Sequence, residues 1–139
     1  MPSFIAKDVN GSPGVIDYRS QDKPTVLYIF APDCDACQRN LSNIKALSEA
    51  ARANYRFVGL SLTTDKLADY IRQNNFSFPV YTELPFFTTT TYKLGGTPQT
   101  IIVSTEGRVL KDWMGSYEGF LEQEVEAFFQ VQLPGVPQQ

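Results

Sequence analysis

Residues 25–31, with the sequence Thr-Val-Leu-Tyr-Ile-Phe-Ala, are the feature that most limits what this 139-residue chain can fold into. Nearly every residue of the run is apolar, most are β-branched or aromatic, and polar residues do not alternate with apolar ones. A short run of this kind is typical of a central strand that is covered on both faces. The sequence therefore predicts a sheet with other elements packed against both of its sides.

A helix is predicted directly after this strand. Pro32 and Asp33 interrupt the strand, and apolar residues then recur at helical spacing: Leu41, Ile44, Leu47 and Ala51. This periodicity predicts a helix over about residues 34–52, with Asn54 as a plausible stop.

The same alternation continues along the chain. Residues 57–62 predict a second buried strand, and Thr63 or Thr64 is a candidate N-cap for a helix that carries Leu67, Tyr70 and Ile71. Residues 78–81 offer a further short strand. Strands that alternate with helices pair in parallel through right-handed crossovers, so the fold class predicted here is α/β.

The pattern changes in the last third of the chain. Residues 99–104 and 109–113 predict two strands, and the turn residues 105–108 (Thr-Glu-Gly-Arg) between them predict a hairpin. Ser116 is a candidate cap for a last helix with one apolar face: Phe120, Leu121, Val125 and Phe128.

Length and charge limit the organisation and the partners. We expect a single domain over residues 1–130 and a tail over residues 131–139 that is frayed or serves as a linker. The net charge of −3 argues against a nucleic-acid partner. No apolar run approaches the ~18–20 residues of a membrane-spanning helix. Residues 1–8 lack the pattern of a signal peptide, so the chain is either cytoplasmic or separated here from an export segment.

The composition also excludes several kinds of chemistry. The chain contains no histidine, which removes Ser-His and Cys-His catalysis and the commonest metal ligand. It contains two cysteines, Cys34 and Cys37, and a tetrahedral zinc site would need two more ligands that are not evident. We therefore expect no metal site.

Cys34 and Cys37 lie at the predicted junction of strand and helix. Residues three apart on a helix are neighbours, which suits the ~4.4–6.8 Å Cα separation of a disulfide. The first turn of a helix favours the thiolate, and a thiol pKa lowered from about 8.5 to about 7 leaves about half of the thiol ionised at neutral pH. Cys34 is then predicted to be the nucleophile and Cys37 the resolving thiol. The alternative is a structural disulfide or a pair of buried thiols.

The charges beside Cys34 bear on the direction of the reaction. Asp33 and Asp35 oppose ionisation of the thiol, and Arg39 is the nearest cation in the sequence. The helix dipole is worth only about 0.3–1 kcal/mol, so two close carboxylates offset much of it. A poorly stabilised thiolate disfavours the reduced form, which predicts a reductase rather than a strong oxidant.

Several segments together resemble a known family. Residues 30–37 (Phe-Ala-Pro-Asp-Cys-Asp-Ala-Cys) resemble the active-site segment of thioredoxins, and residues 96–103 with 106–109 resemble the cis-proline strand and hairpin of that superfamily. Residues 4–11 resemble the N-terminal lead-in of the TlpA/ResA-like branch, which is related to the AhpC/TSA redoxins. Residues 78–81, which end an inserted helix and strand, are similar to that branch too.

The resemblance implies a thioredoxin fold, with a central mixed sheet, flanking helices, an N-terminal extension and a central helix–strand insertion. Pro98 would be a cis-proline beside the cysteines, and the Thr97 backbone would pair with an extended substrate segment. Pro32, Asp33, Asp35 and Ala36 would support the site, alongside Cys34 and Cys37.

The resemblance also implies partners and a compartment. Members of the branch are commonly exported bacterial proteins that reduce protein disulfides, often for cytochrome c maturation. They use no bound cofactor beyond the redox-active disulfide, and an upstream membrane thiol donor reduces them again. This points to the bacterial periplasm, with the cytoplasm as the other compartment left open by the sequence.

The chain departs from the family pattern at several positions. Asp33 replaces the usual tryptophan, and Ala36 replaces the usual proline. Tyr28 stands where thioredoxins carry a buried acid, and Asn40 stands where TlpA/ResA-like proteins often place a glutamate. A proton acceptor for the second cysteine is therefore not evident. Glu83 is a candidate, although a solvated loop charge is the favoured interpretation.

Two other functions share this fold. In a thiol peroxidase of the peroxiredoxin type, a proline and a threonine precede the reactive cysteine by seven and three residues, where this chain has Leu27 and Ala31. A non-catalytic thioredoxin-fold binding module is the second alternative, since Asp33 and Ala36 are unusual. Oxidase and isomerase activity differ from reductase activity only in redox potential.

Three aromatic residues are candidates for a peptide-binding rim: Phe86, Phe87 and Trp113. Packing in the core is the favoured interpretation for each of them.

Overall fold

A computed structural model describes residues 1–137. The strands are β1 (Phe4–Asp8), β2 (Pro13–Ile16), β3 (Thr25–Phe30), β4 (Arg56–Ser61), β5 (Val80–Thr82), β6 (Gln99–Val103) and β7 (Val109–Met114). The helices are α1 (Asp35–Arg39), α2 (Leu41–Ala51), α3 (Leu67–Asn74), α4 (Phe86–Thr91) and α5 (Phe120–Phe129). The strands form one sheet in the order β2-β1-β5-β4-β3-β6-β7.

Strand β3 lies at the centre of this sheet, as its apolar sequence predicts. All six of its residues are buried. It pairs in parallel with β4, from Thr25 opposite Arg56 to Phe30 opposite Ser61, and antiparallel with β6. The sheet is therefore mixed, and the α/β class expected from the alternation of strands and helices is confirmed.

Both faces of the sheet carry an apolar core. Val26, Tyr28 and Phe30 of β3 belong to one cluster, together with apolar residues of α2, α3 and α5. Leu27 and Ile29 point to the other face and pack in a second cluster with residues of β1, β4 and β6. Because successive residues of a strand face opposite sides, an unbroken apolar run fills both cores at once.

The N-terminal extension and the central insertion lie next to each other. Strands β1 and β2 form an antiparallel hairpin, and β1 also pairs antiparallel with β5, the strand of the insertion. The expected thioredoxin architecture with these two additions is confirmed.

The helix predicted over residues 34–52 is divided. Helix α1 ends at Arg39, α2 begins at Leu41, and Asn40 lies between them with φ −88° and ψ 0°. The Asn40 side chain bonds to groups outside both helices, which favours a break that apolar periodicity does not reveal.

The predicted caps of two other helices are wrong. The N-cap of α3 is Lys66 rather than Thr63 or Thr64, and the N-cap of α5 is Gly119 rather than Ser116. Neither cap makes a side-chain hydrogen bond to its helix. The Ser116 hydroxyl is bonded to the Glu118 carboxylate instead, so it is not available to the helix.

Part of the segment after α5 packs against the fold, although a frayed end or a linker was expected there. Residues 131–137 form no helix or strand, but Leu133 is buried and belongs to the core cluster of α2 and α5. The Leu133 N–H donates to Glu126 over 2.8 Å, and the Gly135 N–H donates to the Asn43 side chain over 2.9 Å. The last two residues of the predicted tail, 138 and 139, lie outside the described residues. Within residues 1–137, no helix is long and apolar enough to cross a membrane.

Candidate active site

Cys34 and Cys37 are joined by a disulfide just beyond the carboxyl end of β3. Their Cα atoms are 5.2 Å apart, which lies in the range that a disulfide requires. Cys34 is the N-cap of α1, and its Sγ accepts a hydrogen bond from the Cys37 N–H over 3.1 Å. The sulfur thus takes the place that a serine or aspartate oxygen commonly has at a helix N-terminus.

The two sulfurs differ in their access to solvent. Cys34 is half-buried, whereas Cys37 is only 1% exposed and belongs to the main core cluster. An attacking sulfur must reach a second molecule, but a resolving sulfur only has to reach its neighbour. The geometry therefore fits the predicted order of attack, with Cys34 acting first.

The Thr97–Pro98 peptide bond is cis, as the resemblance implied, and it lies beside the disulfide. The Thr97 carbonyl oxygen is 3.5 Å from Cys34 Sγ. The Pro98 carbonyl accepts from the Gly115 N–H over 2.7 Å, which connects this loop to the end of β7. Among residues 1–137, no hydrogen bond engages the Thr97 N–H.

The charges near Cys34 are unevenly compensated. Asp33 and Asp35 are exposed on either side of Cys34. The Arg39 guanidinium donates to Glu118 over 3.3 Å, so its charge is directed to that carboxylate. Hydrogen bonds from Ser116 and from Arg39 lower the pKa of Glu118 below its usual value. Arg39, the nearest cation to Cys34 in the sequence, is therefore paired with another residue.

Most of the chain matches one protein family in sequence. The model of a family described as thioredoxin-like matches residues 22–109, which include the disulfide, the cis-proline and the strands β3 to β6. The chain belongs to the thioredoxin-like family. No curated protein matches it significantly in sequence.

Solved structures resemble this thioredoxin-like chain over nearly its whole length. StoA from Bacillus subtilis is 19% identical, with a TM-score of 0.69 over 89% of this chain and 94% of StoA. A secreted disulfide oxidoreductase from Mycobacterium tuberculosis, homologous to DsbE of E. coli, is 19% identical, with a TM-score of 0.71 over 91% and 94%. A thiol-disulfide oxidoreductase from Bacteroides fragilis is 18% identical, with a TM-score of 0.72 over 91% and 97%. At these identities the likeness establishes the thioredoxin-like fold.

A neutral polar network surrounds Tyr28 and Asn40, the two positions where the family pattern led us to expect an acidic residue. The Asn40 amide donates to the Tyr28 hydroxyl over 3.2 Å, and its oxygen accepts from the Tyr117 N–H over 2.9 Å and from Asn43 over 3.1 Å. The Tyr117 hydroxyl lies 2.7 Å from that of Thr100. Burial raises the pKa of both tyrosines, so their hydroxyls stay protonated and neither accepts a proton as a base.

Sequence reasoning singled out Tyr28 and Asn40 but missed their partners. Asn43, Thr100 and Tyr117 are distant from one another in the sequence, and each looks like an ordinary residue of its helix, strand or loop. Nothing in their spacing indicates that they meet in one network. They meet because α2 packs against the loop that follows β7 in the folded chain.

The remaining candidates lie in different surroundings. Pro32 and Ala36 are half-buried beside the cysteines. Glu83 is exposed and lies 3.7 Å from the Lys7 ammonium, which fits the interpretation as a solvated loop charge. Leu27 and Ala31, at the positions where a peroxidase has proline and threonine, are buried in the cores.

The expectation that three aromatic residues pack in the core is right for one of them. Trp113 is buried against Phe128 and Phe129. Phe86 and Phe87 are 83% and 65% exposed on the short helix α4, so their predicted burial is wrong. In α4, which has six residues, Thr88 is the buried position, and Phe86 and Phe87 face solvent.

Within residues 1–137, no group of three or more acidic or cysteine side chains is arranged to ligate a metal ion.

Proposed function

We propose that this chain is a thiol–disulfide oxidoreductase that reduces protein disulfides by dithiol exchange. One observation supports this most strongly. Cys34 is half-buried at a helix N-terminus and is bonded to Cys37, which is buried. The Thr97 carbonyl oxygen of the cis-proline loop lies 3.5 Å from Cys34 Sγ. A purely structural disulfide does not need this difference in access between its two sulfurs.

In the reduced protein, the Cys34 thiolate attacks one sulfur of the substrate disulfide. The substrate S–S bond breaks, its second sulfur leaves as a thiolate that takes a proton from water, and a mixed disulfide forms with Cys34. Cys37 then loses its proton to solvent and attacks Cys34 Sγ. The mixed disulfide breaks, the remaining substrate sulfur leaves as a thiolate that takes a proton, and the Cys34–Cys37 disulfide forms. Two electrons pass to the substrate, and an external dithiol donor must return them.

The backbone at Thr97 supports the positioning of a protein substrate. Its free N–H, beside a carbonyl that contacts Cys34 Sγ, offers β-type pairing to an extended segment that contains the attacked cysteine. Pairing through the backbone accepts many sequences, which suits an enzyme whose substrate is a disulfide in a protein.

The reducing direction is supported by the charges. Asp33 and Asp35 lie beside Cys34, while Arg39 is paired with Glu118. Less stabilisation of the thiolate means a less stable reduced form and therefore a more reducing couple. Equilibration with glutathione buffers measures this: we expect a couple more reducing than glutathione, and a strongly oxidising potential would contradict the proposed direction.

Insulin reduction with a small dithiol as electron donor tests the reaction itself. We expect turnover by the native protein and none above background for Cys34→Ser, because the attacking sulfur is lost. Cys37→Ser should instead accumulate a covalent mixed disulfide that excess thiol releases, since the resolving sulfur is missing. Ser42→Ala, an exposed change on α2, serves as the control and should keep full turnover. If the native protein is inactive and the Cys37→Ser variant traps no substrate, the binding-module alternative is favoured.

A further inference from the structure

An open cleft lies between the loop that precedes Cys34 and helix α3. It has a volume of about 490 Å³. Pro32 and Asp33 form one side, and Asp65, Lys66, Asp69 and Tyr70 contribute to the other. Asp33 is the neighbour of Cys34 in the chain, so a side chain close to the attacked cysteine of a substrate comes within reach of this cleft.

Tyr70 gives the cleft a polar group that lacks a partner. Its side chain is only 8% exposed, yet it lines the cleft. Burial raises the pKa of Tyr70, and no hydrogen bond within residues 1–137 contributes to that shift. The Tyr70 hydroxyl is not among the fully buried side-chain atoms that lack a partner, so it reaches solvent and is available to a group that enters the cleft.

The rim of the cleft carries a negative charge that is not fully compensated. Asp69 is paired with Arg72 outside the cleft. Asp33 and Asp65 are exposed and form no ion pair among the described residues, and Lys66 offsets one of the two. Asp35, which follows Cys34 in the chain, is exposed as well.

We propose that this cleft binds a lysine or arginine side chain of the substrate, one to three residues from the attacked cysteine, and so makes the enzyme selective for disulfides in cationic segments. The aliphatic stem would pack on Pro32 and the Tyr70 ring, and the charged end would reach Asp33 or Asp65. An arginine would also donate a hydrogen bond to the Tyr70 hydroxyl. The inference rests on the proposed function, because the cleft acts only on a substrate that Cys34 attacks.

Peptide disulfides that differ at one position test this. We would compare peptides with lysine, arginine, glutamine or glutamate two residues from the cysteine, on either side, and measure the rate constant of their reduction by the reduced protein. Each rate is divided by that of the uncharged reductant dithiothreitol, which removes differences in the intrinsic reactivity of the peptides. We expect the lysine and arginine peptides to react about threefold to fivefold faster than the glutamine peptide at low salt, and the glutamate peptide to react more slowly. The preference should shrink in 0.5 M salt.

Variants assign the effect to the cleft. Asp65→Asn should at least halve the preference for lysine, and Asp65→Lys should reverse it in favour of glutamate. Tyr70→Phe should lower the preference for arginine more than that for lysine. Asp22→Asn, an exposed change near the opposite end of β3, is the matched control and should leave all ratios unchanged.

Equal relative rates for all peptides with the native protein would overturn the inference and leave the proposed function intact. A preference that persists unchanged in Asp65→Asn, Asp65→Lys and Tyr70→Phe would also overturn it, because the cleft would not be its source. Failure to reduce any peptide or insulin would remove the proposed function, and the inference with it.

Discussion

Asn40 joins three parts of the molecule through one buried side chain. It bonds to Tyr28 of β3, to Asn43 of α2 and to the backbone of Tyr117, and it separates α1 from α2. Asn40→Ala removes these bonds and leaves buried donors without acceptors, each at a cost of about 1–3 kcal/mol. We expect a loss of about 2–4 kcal/mol in the free energy of unfolding, measured by urea denaturation.

The control for this change is Asn54→Ala, which removes an exposed asparagine. Its expected effect on stability is below about 0.5 kcal/mol. If the two variants unfold at the same urea concentration, the network is not a significant source of stability.

Glu118 gives one contribution to stability that depends on pH. Hydrogen bonds from Ser116 and Arg39 lower its pKa in the folded protein. A carboxyl group whose pKa is lowered by folding stabilises the folded state above its unfolded pKa, near 4.5, and this stabilisation is lost as the pH falls through the lowered folded value. The group is exposed, so the contribution should be small, about 0.5 kcal/mol.

Glu118→Gln should therefore be less stable than the native protein at pH 7, and the difference should vanish towards pH 3. Denaturant unfolding at several pH values measures it. Glu49→Gln is the matched control because Glu49 is exposed and forms no ion pair among the described residues. A difference that grows towards low pH would contradict the assignment.

At the scale of helices and strands, the buried strands were the most predictable part. Residues 25–31 and 57–62 predict β3 and β4 because a strand between two cores must be apolar throughout. The family resemblance predicts only an N-terminal extension, and its hairpin is not evident from the sequence because β1 and β2 are short and each has an exposed apolar residue, Ile5 or Val15. Helix α4, which contains four threonines, has no apolar periodicity to reveal it.

The site follows the same rule. Cys34 and Cys37 are predictable because their chemistry depends on neighbours in the sequence, whereas the cis bond before Pro98 follows only from the family resemblance. The cleft and the Asn40 network depend on residues that meet only in the folded chain, such as Asp33 with Tyr70. Spacing along the sequence contains no information about such contacts.

Gly59 of β4 lies close to side chains of the neighbouring strands and of Phe78. A Cβ at this position would lie 3.0 Å from Val80 Cγ2, 3.1 Å from the Phe78 ring and 3.3 Å from the Phe30 ring. These rings belong to the core and have little space to move, so Gly59→Ala should cost about 1–3 kcal/mol in the free energy of unfolding.

Gly95→Ala is the matched control, because nothing lies within 4 Å of a Cβ built there. We expect its unfolding free energy to stay within about 0.5 kcal/mol of the native value, as for most surface changes. Urea denaturation of both variants makes the comparison, and equal stabilities would mean that the core around β4 adapts to an added methyl group.

On the scale of the whole molecule, the question is whether the chain unfolds as one unit. The sheet is continuous from β2 to β7, both of its faces are covered by apolar clusters, and the segment after α5 packs on the same core through Leu133. A domain over residues 1–130 stays a prediction, but this packing leads us to expect a single cooperative transition that includes the residues beyond 130.

Leu133→Ala should lower the stability of the entire molecule rather than release a separate segment. Removing a buried leucine side chain costs about 2–5 kcal/mol, and the lower end applies where solvent can fill the space at the surface. Thermal unfolding followed by near-ultraviolet circular dichroism, which reports on Trp113 in the core, and by the far-ultraviolet signal of the backbone should shift together to one lower midpoint. The exposed neighbour Gln132→Ala should leave that midpoint unchanged. If Leu133→Ala instead produces an early far-ultraviolet change while the Trp113 signal keeps its native midpoint, the C-terminal segment unfolds independently and does not contribute to the stability of the active-site domain.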